Sequence, residues 1–328
     1  MSLIPANVEY LGIGIQADKD TAAAAPIMFF ALEDCTLDPN PSKIQLAESD
    51  FTAQQGNKAV VGAQPGGTFK KYLRPSEDDL LLYGLLGKST DAGTTPKTHT
   101  ITMDPLAPFV TPYLTIWDVW PGVGTVRYEG MRISQATITR QPGAAAEVDY
   151  TVTGLKATMG VTEPTPTFID ELPFTGAEFV CTLNGSTPGT INAASVTINR
   201  NTGRYPGDKG LTSYDVPNGL VAVSGSLEVA FENDDLWRAA NTGTTGGTVL
   251  TTTLYEQSLN LAYTRGSTLK AAFDMNAVQM DNFRTAMKTD GSPAVSTFDF
   301  TSKRQATVAD LLEVLFWNAW AAIDTDRT

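Results

Sequence analysis

The sequence predicts a mainly β protein: two tandem antiparallel β-sandwich or barrel domains, each with a flanking α-helix, plus a C-terminal helix. Three observations carry this reading. Short runs alternate apolar and polar residues and are rich in β-branched side chains. Clusters of Gly, Pro and Thr separate these runs. A strand–acid–helix unit occurs twice.

The clearest strands are Thr137-Ile138-Thr139, Val148 to Thr153, Val196-Thr197-Ile198, Leu227 to Phe231 and Leu259 to Tyr263. Gln141-Pro142-Gly143, Thr202-Gly203 and Thr242 to Gly247 read as turns. Helical signals are fewer. Glu77 to Leu86 follows Pro75-Ser76, with Ser76 as the N-cap, acids in the first turn and Gly87 as the stop. Asp234 to Ala240 is a shorter version capped by Asn233, and Met280 to Lys288 is a third. The strongest spans Val308 to Ile323, behind the capping-box pattern Thr307-x-x-Asp310.

The repeat joins Gly67 to Leu80 with Gly225 to Leu236. Each reads as strand, acidic cap and helix, and the Asp-Asp-Leu helix start recurs 156 positions later. Upstream strands, Cys35 to Asp38 and Val196 to Asn199, precede each copy. The boundary falls at Gly160 to Thr167, where Pro164 and Pro166 disfavour a sheet interior. The expected units are therefore residues 1–160 and 161–328.

The chain has 328 residues, 42% of them hydrophobic and 18% charged, so it can bury a core while carrying little surface charge. Its 36 acids against 23 bases leave a net charge of −13, which disfavours tight DNA binding. Without a basic amphipathic stretch, membrane-surface binding is disfavoured too. Cys35 and Cys181 match no metal or redox spacing. The N-terminus lacks secretory features and no apolar run reaches about 18 residues. Synthesis and assembly in a cytoplasm are expected.

Catalytic templates do not fit. The single histidine, His99, lies in the polar run Pro96 to Thr100 with no nucleophile or orienting acid nearby, and reads as exposed and incidental. Gly122-Val123-Gly124 and Gly87-Lys88-Ser89 lack the rest of any phosphate-loop pattern. The pairs Asp78/Asp79 and Asp234/Asp235 sit where helix starts explain them as capping acids. Asp18 and Asp20 fit a solvated turn. In Phe69 to Arg74, alternation puts Lys70 and Tyr72 on one sheet face and Lys71 on the other. No catalytic residue, cofactor site or metal site is expected.

The C-terminal segment is the most apolar surface. Leu311, Leu312, Leu315, Phe316, Trp317, Trp320 and Ile323 form a stripe wider than one amphipathic helix buries. Such a helix is either sunk in its own core or shared with a neighbouring subunit.

Ser195 to Asn201, Arg204-Tyr205-Pro206 and Gly219 to Leu236, taken in order, resemble the signature of long-tailed phage tail tube proteins. Gly12 to Gln16, Asp20 to Pro26 and Gly130 to Ile138 are similar to other parts of that family. The resemblance implies a β-sandwich with a flanking helix, assembled in stacked rings around an inner barrel. The partners it implies are further copies of the chain, a tape-measure protein, tail terminator and distal tail or baseplate proteins, and DNA that passes without specific binding. Arg200, Arg204 and Tyr205 join the C-terminal stripe as interface candidates. Asn40 to Pro65 and Asn201 to Asn218 are the expected inter-ring loops. The family's subunit has one tube domain in a hexameric ring, so two copies here favour a trimer. The competing readings are another tail structural protein (contractile-tail tube, terminator or decoration protein) and a β-sandwich carbohydrate-binding or hydrolase module.

Overall fold

The structure is a computed structural model and describes residues 9–45, 58–94, 96–104, 107, 109–205, 213–230, 234–244, 246–250, 256–286, 294–303, 311–320 and 323. Antiparallel strands dominate, as the alternating runs predict. The first part contains β1 (Tyr10–Gln16), β2 (Met28–Ala31), β3 (Asp34–Cys35), β4 (Pro41–Gln45), β5 (Lys58–Ala63) and β6 (Gly66–Tyr72). Helix α1 (Pro75–Leu86) follows, then β7 (Gly87–Ala92), β8 (Lys97–Met103), β9 (Tyr113–Trp120), β10 (Gly124–Arg140), β11 (Glu147–Thr153) and β12 (Lys156–Met159). The later part holds β13 (Phe179–Leu183), β14 (Ile191–Asn199), β15 (Ala222–Ala230), α2 (Asp235–Thr242), β16 (Glu256–Arg265), β17 (Leu269–Ala286), β18 (Val295–Ser302) and β19 (Glu313–Asn318).

The same set of strand pairings occurs twice. β1 lies on β9 as β13 lies on β16, and β10 and β17 are each the long middle strand of a meander. β11 and β18 follow them in hairpins and pair in turn with β6 and β15, the strands that precede α1 and α2. β3 borders β6 as β14 borders β15, and β12 and β19 return to β10 and β17. β10 bends between its two sets of partners at Gly130, whose φ of 64° and crowding against Leu155 exclude a side chain there. Gln16 Oε1 accepts the Gly130 N–H at 2.6 Å, which fixes the bend.

Helix α1 begins at Pro75, ideal for a first helical position, and ends at Gly87 in the left-handed region. Ser76 is not its cap. Arg74 occupies that position, and Ser76 instead donates its N–H and hydroxyl to Glu171 at 3.1 Å each. The helix is buried nearly all round, acids included. Lys71 Nζ lies 2.9 Å from Asp78 and 2.8 Å from Glu77, all three inside the core. Asp78 also accepts the Arg74 N–H at 2.6 Å and the Tyr150 hydroxyl at 2.9 Å. Burial opposes the charge on Lys71, but the Asp78 and Glu77 carboxylates outweigh it and hold its pKa above the ordinary value. Asp79 accepts from Asn318 Nδ2 at 2.8 Å, and Asn318 Oδ1 lies 2.9 Å from His99 Nε2. His99 is thus fully buried in β8, with Nδ1 2.7 Å from Asp91, and not exposed as its polar neighbours imply.

Two expected helices are strands. Residues 313–318 of the C-terminal stripe form β19, inserted between β17 and β8, so both backbone edges are paired. Its period is two: Val314, Phe316 and Asn318 are buried while Glu313, Leu315 and Trp317 are half-buried. A short continuous apolar run fits a buried strand as well as a helix, and pairing on both sides decides for the strand. Thr307 and Asp310 lie outside the described residues. Met280 to Ala286 likewise extends β17 along β18, and residues 287 and 288 are outside the described set. α2 starts one residue after the expected position. Asp234 is its N-cap, and its carboxylate accepts from Arg238 Nε at 2.6 Å; Asn233 is not described.

Core contacts run without a break from Phe30, Phe69 and Tyr150 to Phe174, Tyr263, Phe273, Phe298, Phe300 and Phe316. At one margin a 3₁₀ turn, Gly176–Glu178, is tied to β16 by Arg265, whose Nη2 donates to Glu178 Oε2 at 2.8 Å.

Two predictions follow from these ion pairs. Lys71→Met leaves buried Asp78 without its cation and Glu77 with Arg74 Nη1 at 3.6 Å, and should cost about 3–5 kcal/mol in urea unfolding. Glu178 has its pKa lowered, chiefly by the Arg265 hydrogen bond. Its contribution is therefore present above the unfolded-state pKa of about 4.3 and is lost as pH falls through the lower folded value. Glu178→Gln should destabilise by about 1 kcal/mol or less at pH 7, and the difference should vanish on acidification in unfolding curves recorded across the acid range.

Candidate assembly surface

The edge between the two repeated strand sets is itself a strand pairing. β10 runs antiparallel to β14 from Gln135↔Asn199 to Arg140↔Ala194. Ala136, Ile138, Val196 and Ile198 fill the buried side, and the Thr137 and Thr197 hydroxyls meet at 3.2 Å. Arg140 donates to the Ile191 carbonyl at 2.8 Å and to that of Asn192, closing the end of the ladder.

The equivalent edges at the outer limits are open among the described residues. β14 has two neighbours, β15 and β10, whereas its counterpart β3 has only β6. The second half of β10 has β11 and β14, whereas its counterpart in β17, Asp281 to Ala286, has only β18. The chain thus presents one unpaired edge of each kind that it joins internally.

Two arms project at matching places, between β3 and β6 and between β14 and β15. The first is the β4–β5 hairpin, whose residues 46–57 are not described. The second returns through the Tyr205↔Asp215 bridge, with residues 206–212 not described. Arg204 joins the two arm bases: its Nη2 donates to the Gln64 carbonyl at 3.0 Å and the Pro65 carbonyl at 2.6 Å. Tyr205 is exposed and packs edge-on against Tyr214 at 6.2 Å. Asn218 bonds the Phe109 carbonyl and Tyr113 bonds Asp215, so Phe109, Val110, Tyr205, Tyr214 and Leu220 share one loop cluster, each more than half exposed. Arg200 is buried, its N–H bonded to the Ser134 carbonyl. Burial, then the nearby Arg132 charge, lowers its pKa to about 10.

The remaining candidates lie elsewhere. Leu312, Phe316 and Ile323 are buried within the chain, and Leu311, Leu315, Trp317 and Trp320 are half-buried. Asp78 and Asp79 sit in the core cluster, while Asp234 and Asp235 open α2. The open edges carry no sequence motif; only the repeated order of strands points to them.

A model of a family described as phage tail tube protein matches residues 6–301. No curated protein matches the sequence. No helix among the described residues is long and apolar enough to cross a membrane.

Arg204→Ala removes a charged donor from two carbonyls. Unfolding stability should fall by about 1–3 kcal/mol, with faster amide exchange at residues 64–66 than elsewhere in the sheet.

Proposed function

The chain belongs to the phage tail tube protein family, and on that premise we propose that it is the repeating subunit of a tail tube, a structural role with no catalysis. Residues 1–160 and 161–328 are two diverged copies of one tube unit, and three chains close a pseudo-sixfold ring. The observation that carries this reading is the β10·β14 pairing inside the chain together with the two open edges outside it. Pairing of Asp281 to Ala286 in one chain with the β3 segment of the next repeats the internal junction. Such a head-to-tail contact closes into a ring when the rotation per chain divides a full turn. The matching pairings of the two halves support the duplication, and their equal edges support a sixfold spacing of units.

The arms and their exposed aromatic cluster are the surfaces through which rings stack. Leu315, Trp317 and Trp320 are half-buried and remain interface candidates. The tube holds a tape-measure protein during assembly, meets terminator and distal tail proteins at its ends, and conducts DNA at ejection. The chain is assembled in the host cytoplasm and ends in the virion. A net charge of −13 supports a lumen that repels the DNA backbone, so the duplex slides without adhering.

Native mass of the smallest closed assembly tests the stoichiometry: three chains per ring are expected, and six would refute the threefold reading. A proline scan over Asp281 to Ala286 tests the edge. Prolines at outward-facing amides should leave folded monomers that form no rings in electron micrographs. Normal tubes from every folded variant would remove this edge from the contact.

A further inference from the structure

We infer that Glu9, Cys35 and Asp118 form a binding site for one divalent cation of the zinc class. The thiol sulfur and one oxygen from each carboxylate lie within 4.8 Å of one another. Asp118 is completely buried, yet neither of its oxygens accepts a hydrogen bond among the described residues. A buried carboxylate ordinarily finds donors, so an unfilled pair of oxygens facing a second acid and a thiol points to a missing positive charge. Among the described residues the buried hydroxyl of Tyr128 is without a partner as well.

The donor set selects the metal. A thiolate disfavours calcium and magnesium, whereas one sulfur with two carboxylate oxygens suits zinc or cobalt. Tetrahedral metal–sulfur bonds of about 2.3 Å and metal–oxygen bonds of about 2.0–2.2 Å would set the ligand atoms about 3.5 Å apart, so the three donors draw together around the cation, with a water as fourth ligand. Without a cation, protons neutralise the cluster. Binding would form one metal–sulfur and two metal–oxygen bonds, and release the Cys35 thiol proton and any proton shared by the two carboxyls to solvent. Affinity rises with pH in consequence.

The site would tie three separate elements together. Asp118 sits in β9 opposite Leu11, Glu9 leads into β1, and Cys35 belongs to β3. The cation would fasten the two-residue strand β3 to a neighbouring sheet, independently of whether chains close into rings.

The test is titration of the metal-free full chain with cobalt(II) at mildly alkaline pH. One equivalent should produce a thiolate-to-cobalt charge-transfer absorption that zinc bleaches. Cys35→Ser and Asp118→Asn should lose it, and Cys181→Ser should keep it, with thermal melts confirming that each variant folds. Zinc should raise the melting temperature of the parent chain and of Cys181→Ser alone. Absence of the absorption in the parent chain overturns the site and leaves a carboxyl pair sharing a proton. Survival of the absorption in folded Cys35→Ser overturns it as well.

Discussion

The constraint on which the rest depends is the burial of Lys71. A cation with no access to water needs anions at contact distance, and α1 brings Asp78 and Glu77 to it in its first turn. That requirement fixes the helix against β6. Tyr150 then ties the same cluster to β11. Through Asp79, Asn318 and His99 the polar contacts continue to β19 and β8, so the last described strand is anchored to the first helix. Apolar packing could tolerate sliding of these elements; directional bonds inside the core do not.

The long strands supply the second constraint. β10 and β17 are each about three times an ordinary strand in length, and each changes partners along its course. A strand that long cannot be covered by one neighbour, so part of its edge must meet something else. In β10 that something is β14 of the same chain. In β17 the corresponding stretch has β18 on one edge and no described strand on the other, which is how an internal junction comes to predict an external one. β3, at the opposite limit, is only two residues long, and short edges resist indiscriminate pairing.

Much of the fold was legible in the sequence, because period-two alternation and β-branching at 148–153, 196–198 and 259–263 report a half-buried sheet directly. The stop of α1 was legible from Gly87, whereas its start lies at Pro75, two residues before the expected Glu77; alternation separated Lys71 from Lys70 and Tyr72 but did not say which face is buried. The C-terminal strand was not. Leu311 to Trp317 is nearly continuous in apolar residues, and its period appears only once β8 and β17 flank it. His99 was misjudged because its partner Asn318 is 219 positions away, beyond any local pattern. The open strand edges and the Glu9, Cys35 and Asp118 cluster were illegible for the same reason: both exist only through strand pairings made at long range.

The two arms carry a last consequence. They arise at equivalent places but differ in their described residues, β4 pairing with β5 in one and Tyr205 bridging Asp215 in the other. In a ring of three chains they would alternate around the rim, so the rim's pattern would recur every third of a turn although its strands recur every sixth. Adjacent rings would then have preferred rotational settings that a ring of identical units lacks. A partner with threefold symmetry could key into that alternation, while one with sixfold symmetry would meet mismatched neighbours.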